Sequence, residues 1–477
     1  MKKLLLLSIA ASAVLFAGGD IKEVVVPEET PVVPCPTSNL KWYGQTVLYY
    51  QTQENINAVS DNELFDGDVS KANAGIKLGV TGSNLLDTGL GFGVEVVALG
   101  SLGLEKDGDT IAVPAPAGFV DGGADGIVND YVSDTMQRAD ETGNDLNGGE
   151  LTQAYLTYTA GNTTAKVGRM YLPKSLSPFA FSEKWNVFSN SFEAALLINS
   201  DLPDTTLVGA WVARANGINN LGAWNDMGAN NNGIFMLTAQ NKSVAGLTLT
   251  GTVYYGSEAG VILAGNTVGE DLVALWADAK FSTKVAGNTI NIGVQGGTID
   301  TGASDTTIAY GVKAGGKFAI PAFGNVALCA AYTGVDLQNS LNGVVDAGVS
   351  VQNLGTGVKT PLYTQMVGNQ NYISGFNSDN GEANTYMVKA SATYDLPALG
   401  NVSFAVAYSG TEIVSPKAVP TVNTNDFNEL DVIAKTKLGD ATVLAAYVNQ
   451  TQDDSLAGVA TNEIDTDIVR VWAKWDF

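Results

Sequence analysis

The sequence contains no histidine and only two cysteines among its 477 residues. Without histidine, neither a Ser-His-Asp triad nor a His-ligated zinc site can be built. Cys35 lies in a proline-rich stretch and Cys329 in the middle of a predicted strand, so a bridge between them is unpromising, although an exported protein could still pair them. We therefore predict that the chain is not an enzyme.

Charged residues are scarce, and bases are scarcer than acids. Only 16% of the residues are charged, where roughly a quarter is usual. The 25 Lys and Arg residues face 49 Asp and Glu residues, which gives a formal net charge of −24. Because a nucleic-acid-binding surface must be basic, this balance excludes nucleic acid as a partner.

Long apolar runs are absent except near the amino terminus. There Lys2 and Lys3 precede an apolar run from Leu4 to Phe16, which small residues follow. The run has about thirteen residues where a spanning helix needs roughly 20, so residues 1–19 are predicted to be a secretory signal peptide. No later stretch approaches the length of a spanning helix, which excludes a helical membrane protein.

Two further segments follow the signal peptide. Residues 20–38 include V-V-V-P-E-E-T-P-V-V-P-C-P, and this density of proline disfavours both helix and central strand. We interpret them as an extended periplasmic leader, with a tether or plug that folds back into a barrel as the alternative. Residues 39–477 are predicted to form the folded domain.

The folded domain shows a period of two residues that recurs in many segments. Eighteen segments alternate in this way, an even number as a closed single-chain bacterial barrel requires. They are 40–52, 72–82, 89–102, 149–160, 163–171, 192–200, 205–215, 234–241, 247–256, 271–283, 289–298, 308–319, 325–335, 384–395, 401–409, 428–438, 441–450 and 465–477.

The connections between these segments alternate strictly between short and long. Gly161–Asn162 and Gly439–Asp440 are examples of short connections, whereas Gly103–Gly148 and Asp336–Ala383 are long. Short periplasmic turns opposite long extracellular loops are typical of outer-membrane barrels, and a soluble sandwich has no reason to segregate loop length. The fold class predicted is an all-β transmembrane antiparallel β-barrel of about 18 strands.

The last strand illustrates the two faces of such a barrel. Val469, Val471, Ala473, Trp475 and Phe477 form a wholly apolar face, and the residues between them carry charges of both signs. An apolar face toward lipid and a polar face toward a lumen suit a membrane-spanning strand. The aromatic carboxyl end resembles the strand that the outer-membrane assembly machinery recognises, so Trp475 and Phe477 are predicted to form the assembly signal.

The third extracellular loop, Leu172–Ser191, differs from the other long loops. It contains Phe179, Phe181, Trp185 and Phe188, and its only acid is Glu183. Because so much apolar surface is unfavourable in water, we predict that the loop folds into the barrel and narrows it. Burial of the loop at a subunit interface is the alternative. The charged residues that it would bring to a constriction are Lys174, Glu183 and Lys184.

A group of bases lies at predicted lumen-facing positions of the later strands. Rows of cations in a narrow pore set its selectivity. The alternative for each base is an ordinary solvated residue paired with a nearby acid. These bases are Lys313, Lys317, Lys389, Lys435, Lys437, Arg470 and Lys474. Arg169 and Glu193 are also predicted to contribute to the constriction. Arg169 and Arg214 lie near strand ends below loops, where each could pair with Glu193.

The loop Gly103–Gly148 has ten acids and only two bases, Lys106 and Arg138. Its oxygen-rich run includes Asp121, Asp125 and Asp130, which suits Ca²⁺ as a ligand, but the spacing lacks the final Glu of an EF-hand loop. A calcium site there is therefore an open alternative, and no other cofactor is expected. Loop carboxylates at the mouth would concentrate cations in either case.

Four segments carry a resemblance to a known family. They are L-K-W-Y-G-Q-T-V-L-Y-Y, G-R-M-Y before the third loop, S-N-S-F-E-A-A-L-L after it and the terminal V-W-A-K-W-D-F. Together with the architecture they resemble the Campylobacter-type major outer membrane porin family of epsilon-proteobacteria. The resemblance implies a trimeric, 18-stranded general porin, often cation-preferring and sometimes calcium-binding. The third loop departs from that pattern, since Lys174 and Lys184 outnumber Glu183.

These observations predict a general diffusion porin of the bacterial outer membrane. Its expected partners are ions and small hydrophilic solutes, outer-membrane lipid, two further copies of the chain in a homotrimer and the assembly machinery. The alternatives are a substrate-selective channel and a surface adhesin or structural barrel that does not conduct.

Overall fold

The computed structural model describes most of the chain from residue 39 onward. The described ranges are 39–56, 63–102, 148–217, 220–228, 232–259, 271–302, 305–320, 324–338, 348–375, 381–414, 422–456 and 459–477. The predicted signal peptide, the leader and the candidate calcium ligands Asp121, Asp125 and Asp130 lie outside these ranges.

Nineteen strands are found in the described residues, and every pairing between neighbouring strands of the sheet is antiparallel. They are β1 Asn39–Ile56, β2 Ser70–Leu85, β3 Leu90–Ser101, β4 Gly148–Ala160, β5 Thr163–Met170, β6 Phe192–Asn199, β7 Thr205–Asn216, β8 Trp224–Asp226, β9 Ile234–Asn241, β10 Leu247–Gly256, β11 Leu272–Val285, β12 Asn288–Asp300, β13 Thr306–Ile320, β14 Gly324–Gln338, β15 Glu382–Leu396, β16 Gly400–Val414, β17 Val422–Leu438, β18 Ala441–Leu456 and β19 Val459–Asp476.

The sheet closes into a barrel of 18 strands. The first strand β1 pairs with the last strand β19 from Gln45–Asp476 to Ile56–Asp465. The three-residue strand β8 is paired with β7 alone, and β7 pairs directly with β9, so β8 stands outside the ring. At the closure, Gly44 and Phe477 exchange backbone hydrogen bonds of 2.7 and 2.9 Å. The predicted closed barrel and its strand number are confirmed.

Several strands extend further toward the long loops than the alternation predicts, and β17, β18 and β19 do so most. β17, β18 and β19 gain about six residues each at that end, where the sequence is polar. Cross-strand hydrogen bonds replace apolar packing there, as the Thr451 hydroxyl donates to Asp465 Oδ1 at 2.9 Å. A search for alternating apolar residues cannot detect these strand ends.

The outer surface of the barrel is an apolar belt. On β11, Val273 and Leu275 are exposed by 40% and 45%, whereas Leu272, Ala274 and Trp276 between them are buried. Exposed aromatic residues recur on the same outer face, among them Tyr255, Tyr310, Tyr332, Tyr386 and Tyr408. Outward apolar residues with aromatic girdles are what a barrel in a lipid bilayer requires.

Segments of the loops, and not only side chains of the strands, lie inside the barrel. Two helical turns occur in the described residues, the 3₁₀ helix Gly67–Val69 and α1, Gln370–Ile373. No helix among these residues is long and apolar enough to cross a membrane. We name the stretch 171–191 between β5 and β6 the L3 segment, and the stretch 348–375 between β14 and β15 the L7 segment. Both supply buried residues to the hydrophobic clusters inside the barrel.

Candidate pore constriction

The first half of the L3 segment packs on β10 and β11. Phe179 is fully buried, and its ring meets the edges of Tyr254 and Trp276 at centroid distances of 5.6 and 5.2 Å. The backbone N–H of Phe179 donates to the Tyr254 hydroxyl at 3.0 Å. Tyr254 and Trp276 are buried residues that alternate with exposed ones, so these contacts lie on the inner face of the sheet.

The second half of the L3 segment contacts a different part of the wall. Trp185 lies 5.1 Å from Trp472 of β19, and Lys474 Nζ donates to the carbonyl of Asn186 at 3.1 Å. The Phe188 ring covers Gly75 of β2, where a Cβ would lie 2.8 Å from it. Because β19 and β2 are many strands away from β10 and β11, the segment reaches from one part of the inner wall to another.

The apolar composition of the L3 segment explains this placement. Phe179, Phe181 and Phe188 are each 2% exposed or less. Full burial of such a side chain contributes about 1.5–3 kcal/mol relative to exposure, so the segment gains more inside the barrel than in water. The segment begins with a turn that its own backbone stabilises, since the N–H groups of Leu176 and Ser177 both donate to the carbonyl of Pro173.

The L7 segment is a second inward element, and it was predicted only as part of the long connection Asp336–Ala383. Among its buried residues are Val351, Leu362, Met366 and Ile373. A sequence signal does exist, because no acid occurs between Asp346 and Asp379 in a chain that has 49 acids. A long loop without acids and with many apolar residues is as unfavourable in water as the L3 segment is.

The L7 segment is anchored to the wall at two places. The hydroxyl of Tyr363 donates to Asp278 Oδ2 at 2.7 Å, and Gly293 leaves room for it, since a Cβ there would lie 2.8 Å from the hydroxyl oxygen. Further along, Tyr372 stacks on Phe427 of β17 with centroids 3.7 Å apart. These anchors hold the segment against β11, β12 and β17.

The two inward segments are hydrogen-bonded to each other. Asn353 of the L7 segment donates to the carbonyl of Phe181 at 2.7 Å and accepts from its N–H at 3.2 Å. Leu354 N–H donates to the carbonyl of Phe179 at 2.7 Å, and Lys174 Nζ donates to the carbonyl of Thr360 at 2.8 Å. Lys174, predicted as a charge at the constriction, thus binds the L7 backbone, and Lys184 is exposed.

Several of the predicted lumen bases contact the inward segments. Arg470 donates from Nε to Gln51 Oε1 at 2.8 Å and lies over the Trp185 ring, while Lys474 binds the L3 backbone as described. Lys313 Nζ lies 5.5 Å from the centre of the Tyr363 ring. The strand alternation puts the remaining predicted bases on the same inner face: Lys317, Lys389, Lys435 and Lys437.

Arg169 and Glu193, which were predicted at the constriction, lie outside the lumen. Arg169 and Glu193 pair across β5 and β6 at 2.9 Å, and Arg214 Nη1 lies 3.7 Å from Glu193 Oε2, as expected from their positions near strand ends. Their neighbours Phe192 and Ala215 point to the interior, where Gly355 approaches both. Adjacent residues alternate faces, so Arg169 and Glu193 lie on the outer face and not with the lumen charges.

Three acids of the inner face, Glu95, Glu429 and Asp431, are buried and accept hydrogen bonds. Glu95 accepts hydrogen bonds from Tyr43, Tyr171, Thr152 and Gln153, and its Oε1 lies 3.9 Å from Lys77 Nζ. On β17, Glu429 accepts from the N–H of Gly368 at 2.8 Å and Asp431 from that of Val367 at 3.2 Å. The L7 segment therefore covers both carboxylates of β17.

Burial also affects the ionisable groups of the two inward segments. Burial raises the pKa of Glu183, although hydrogen bonds from Thr356 and Asn353 and the charge of Lys359 act in the opposite direction. Burial lowers the pKa of Lys359 to about 8, against the opposing effect of Glu183. Among the residues that the structure describes, no group of three or more His, Cys, Asp or Glu side chains could hold a metal ion.

Comparisons with known proteins add information on the fold. No family model matches the sequence, and no curated protein matches it either. Solved structures do match: OccAB3 of Acinetobacter baumannii is 11% identical with a TM-score of 0.64, and the match covers 92% of this chain and all of that one. OccK9 (OpdG) and OccD3 (OpdP) of Pseudomonas aeruginosa are 13% and 12% identical, with TM-scores of 0.61 and 0.60, and cover 92% of this chain and 98% and 91% of theirs.

These likenesses establish the fold, a porin-type transmembrane barrel. Barrels of this kind span the bacterial outer membrane, in agreement with the predicted location. The matched structures come from Pseudomonas and Acinetobacter, so they support a porin-type barrel fold without assigning the chain to the Campylobacter-type family. The protein has the fold of an outer-membrane channel.

Proposed function

We propose that the protein is a passive diffusion channel of the outer membrane that passes ions and small hydrophilic solutes, without catalysis or a cofactor. The observation that carries this proposal is a closed 18-stranded barrel with an apolar outer face and charged residues on its inner face. Such a barrel is wide enough to enclose a water-filled lumen. Membership of the Campylobacter-type porin family and assembly as a homotrimer are parts of the same proposal.

A planar bilayer tests the proposal directly. Purified, refolded protein should add stepwise increments of ionic current when it inserts. An adhesin or a structural barrel with a closed lumen would insert without any current, and that outcome would overturn the proposal.

A substrate-selective channel is the second candidate within the same class. It is favoured by one observation, the presence of two inward segments that are hydrogen-bonded to each other rather than one. A selective channel should show saturable block of its ionic current by a preferred solute, whereas a general porin should not. The two candidates are thus separated by a titration of current against solute concentration.

The lumen is proposed to favour anions in spite of the net charge of −24. Glu95, Glu183, Glu429 and Asp431 are each 3% exposed or less and accept hydrogen bonds. The inward bases are more numerous, and several are partly exposed: Lys313, Lys317, Lys389, Lys435 and Lys437. Charges that line a pore act on passing ions more strongly than charges on distant loops. This preference is opposite to the one that the family resemblance implies.

Cys329 provides a chemical test of the lumen. It is a free, half-buried thiol on the inner face of β14, and Lys389 is its register partner on β15. We expect a charged methanethiosulfonate reagent to reduce the current of the open channel, because the added group lies in the path of the ions. The anionic reagent should react faster than the cationic one, since the neighbouring charges are positive.

The Cys329→Ser variant is the matched control, since it keeps Cys35. Its current should be insensitive to both reagents. If the variant is blocked as strongly as the wild type, Cys35 is the reactive thiol and the expected effect at Cys329 is refuted.

A further inference from the structure

Glu183 is the most heavily used acceptor between the two inward segments. Its Oε1 accepts from Asn353 Nδ2 at 2.9 Å, from the Thr356 hydroxyl and from the Lys359 backbone N–H at 3.1 Å. All three donors belong to the L7 segment. The side chain is 3% exposed, and its Oε2 has no hydrogen-bond partner among the described residues. One buried carboxylate oxygen therefore accepts hydrogen bonds from three groups that are all distant from Glu183 in the sequence.

The groups that Glu183 gathers form one turn. Asn353 N–H donates to the carbonyl of Lys359 at 2.6 Å, and the N–H groups of Thr356 and Gly357 donate to the carbonyl of Asn353 at 3.2 and 2.7 Å. Gly357 has a φ of 68°, a conformation that glycine adopts without strain. Hydrogen bonds within residues 353–359 therefore hold the turn together, and Glu183 accepts from donors of the same turn.

Glu183 is itself held on the L3 side. Its backbone N–H donates to Asn190 Oδ1 at 2.7 Å, which connects the middle of the segment to its end. On the L7 side, Lys359 Nζ donates to the carbonyl of Val367 at 3.0 Å, and the N–H of Val367 reaches Asp431 on β17. A set of hydrogen bonds therefore connects the L3 segment, through Glu183 and the L7 segment, to β17 of the wall.

We infer that Glu183 is a positioning residue that fastens the L7 segment to the L3 segment inside the barrel and so sets the width of the passage. This inference rests on the proposed channel function. The carboxylate contributes to the constriction by holding the L7 segment in place, not by offering its charge to passing ions. Its burial and its three donors leave it little contact with the lumen.

The test removes the acceptor and keeps the rest of the chain. In Glu183→Ala the L7 segment loses three hydrogen bonds to the L3 segment, so we expect a larger single-channel conductance and more noise in the open state. Glu183→Gln retains an oxygen acceptor at the same place and should resemble the wild type. Glu63→Ala, which removes an exposed loop carboxylate, controls for the change in net charge.

A second measurement does not depend on conduction. Lys359 is buried while the L7 segment is bound to the L3 segment, and trypsin cleaves after exposed lysines. Release of the L7 segment should raise the rate of cleavage after Lys359 by about tenfold or more, because losing charge-assisted hydrogen bonds shifts a local opening equilibrium by at least that factor. The cleavage site is identified by mass spectrometry of the fragments.

The outcomes separate the two proposals. If wild type and variants all insert without current, the channel function fails, while the cleavage assay still reports on the fastening by Glu183. If the wild type conducts and Glu183→Ala matches it in conductance and in cleavage, the inference about Glu183 is wrong. Should Glu183→Ala fail to fold, as judged by loss of the heat-sensitive shift in electrophoretic mobility, Asn353→Ala and Thr356→Val test the same contacts from the L7 side.

Discussion

Replacing Glu95 by Ala is expected to lower the free energy of unfolding by about 3–5 kcal/mol, the usual cost of leaving one partner of a buried ion pair uncompensated. Glu95 is 2% exposed, and its Oε1 lies 3.9 Å from Lys77 Nζ. The substitution also removes the carboxylate that accepts hydrogen bonds from four side chains: Tyr43, Tyr171, Thr152 and Gln153. Urea unfolding in detergent micelles, followed by tryptophan fluorescence, measures the loss.

The double variant Lys77→Met/Glu95→Ala is the control for this prediction. Removing both charges leaves no uncompensated ion in the wall, so the double variant should be more stable than Glu95→Ala alone. If Glu95→Ala unfolds at the wild-type urea concentration, or if the double variant is the less stable of the two, the buried pair does not stabilise the barrel as argued. The pair also supports the L3 segment, because Lys77 Nζ lies 5.6 Å from the ring centres of Tyr171 and Phe188.

The strands of the barrel could be predicted because each one follows a pattern within its own residues. β9 and β10 match the predicted bounds of 234–241 and 247–256 residue for residue. Alternation of apolar and polar residues, interrupted by turns, carries the information for each strand without reference to the rest of the chain. The pattern fails at the loop ends of β17, β18 and β19, where cross-strand hydrogen bonds between polar residues maintain the pairing.

The inward segments could be predicted only in part, since their contacts are non-local. The composition of the L3 segment indicates that it avoids water, but not which wall receives Phe179 and which receives Trp185. Glu183 meets donors about 170 residues away in the sequence, and no local pattern specifies that distance. The L7 segment has a compositional signal of its own, the absence of acids from residue 347 to residue 378, which the alternation of strands does not reveal.

The face of a residue near a strand end is similarly hard to predict. Arg169 was expected at the constriction from its place near a strand end below a loop, yet it shares its face with Glu193 and Arg214, and Met170 and Phe192 lie on the other face. A shift of one residue reverses the face, and strand ends are where bulges introduce such shifts. One of these bulges occurs between Glu193 and Ala194.

Reversing the charge at Lys313 and Lys389 is expected to convert an anion-preferring channel into a cation-preferring one. Both lysines lie on the inner face, on the two strands that flank β14. At a separation of about 10 Å in a partly aqueous pore, each reversal changes the energy of a passing monovalent ion by about 1–2 kcal/mol. The two reversals together should therefore change the ratio of anion to cation permeability by more than about tenfold. The reversal potential in a KCl gradient measures this ratio and should change sign in Lys313→Glu/Lys389→Glu.

Lys242→Glu makes the same charge change at an exposed position in the short turn between β9 and β10. Its reversal potential should stay close to that of the wild type, because bulk electrolyte screens a charge outside the lumen over about 10 Å. Raising the salt concentration should also reduce the preference of the wild type, since the Debye length falls to about 3 Å at 1 M. A wild type that prefers cations at low salt would mean that the carboxylates of the loops, and not the lysines of the lumen, control which ions enter.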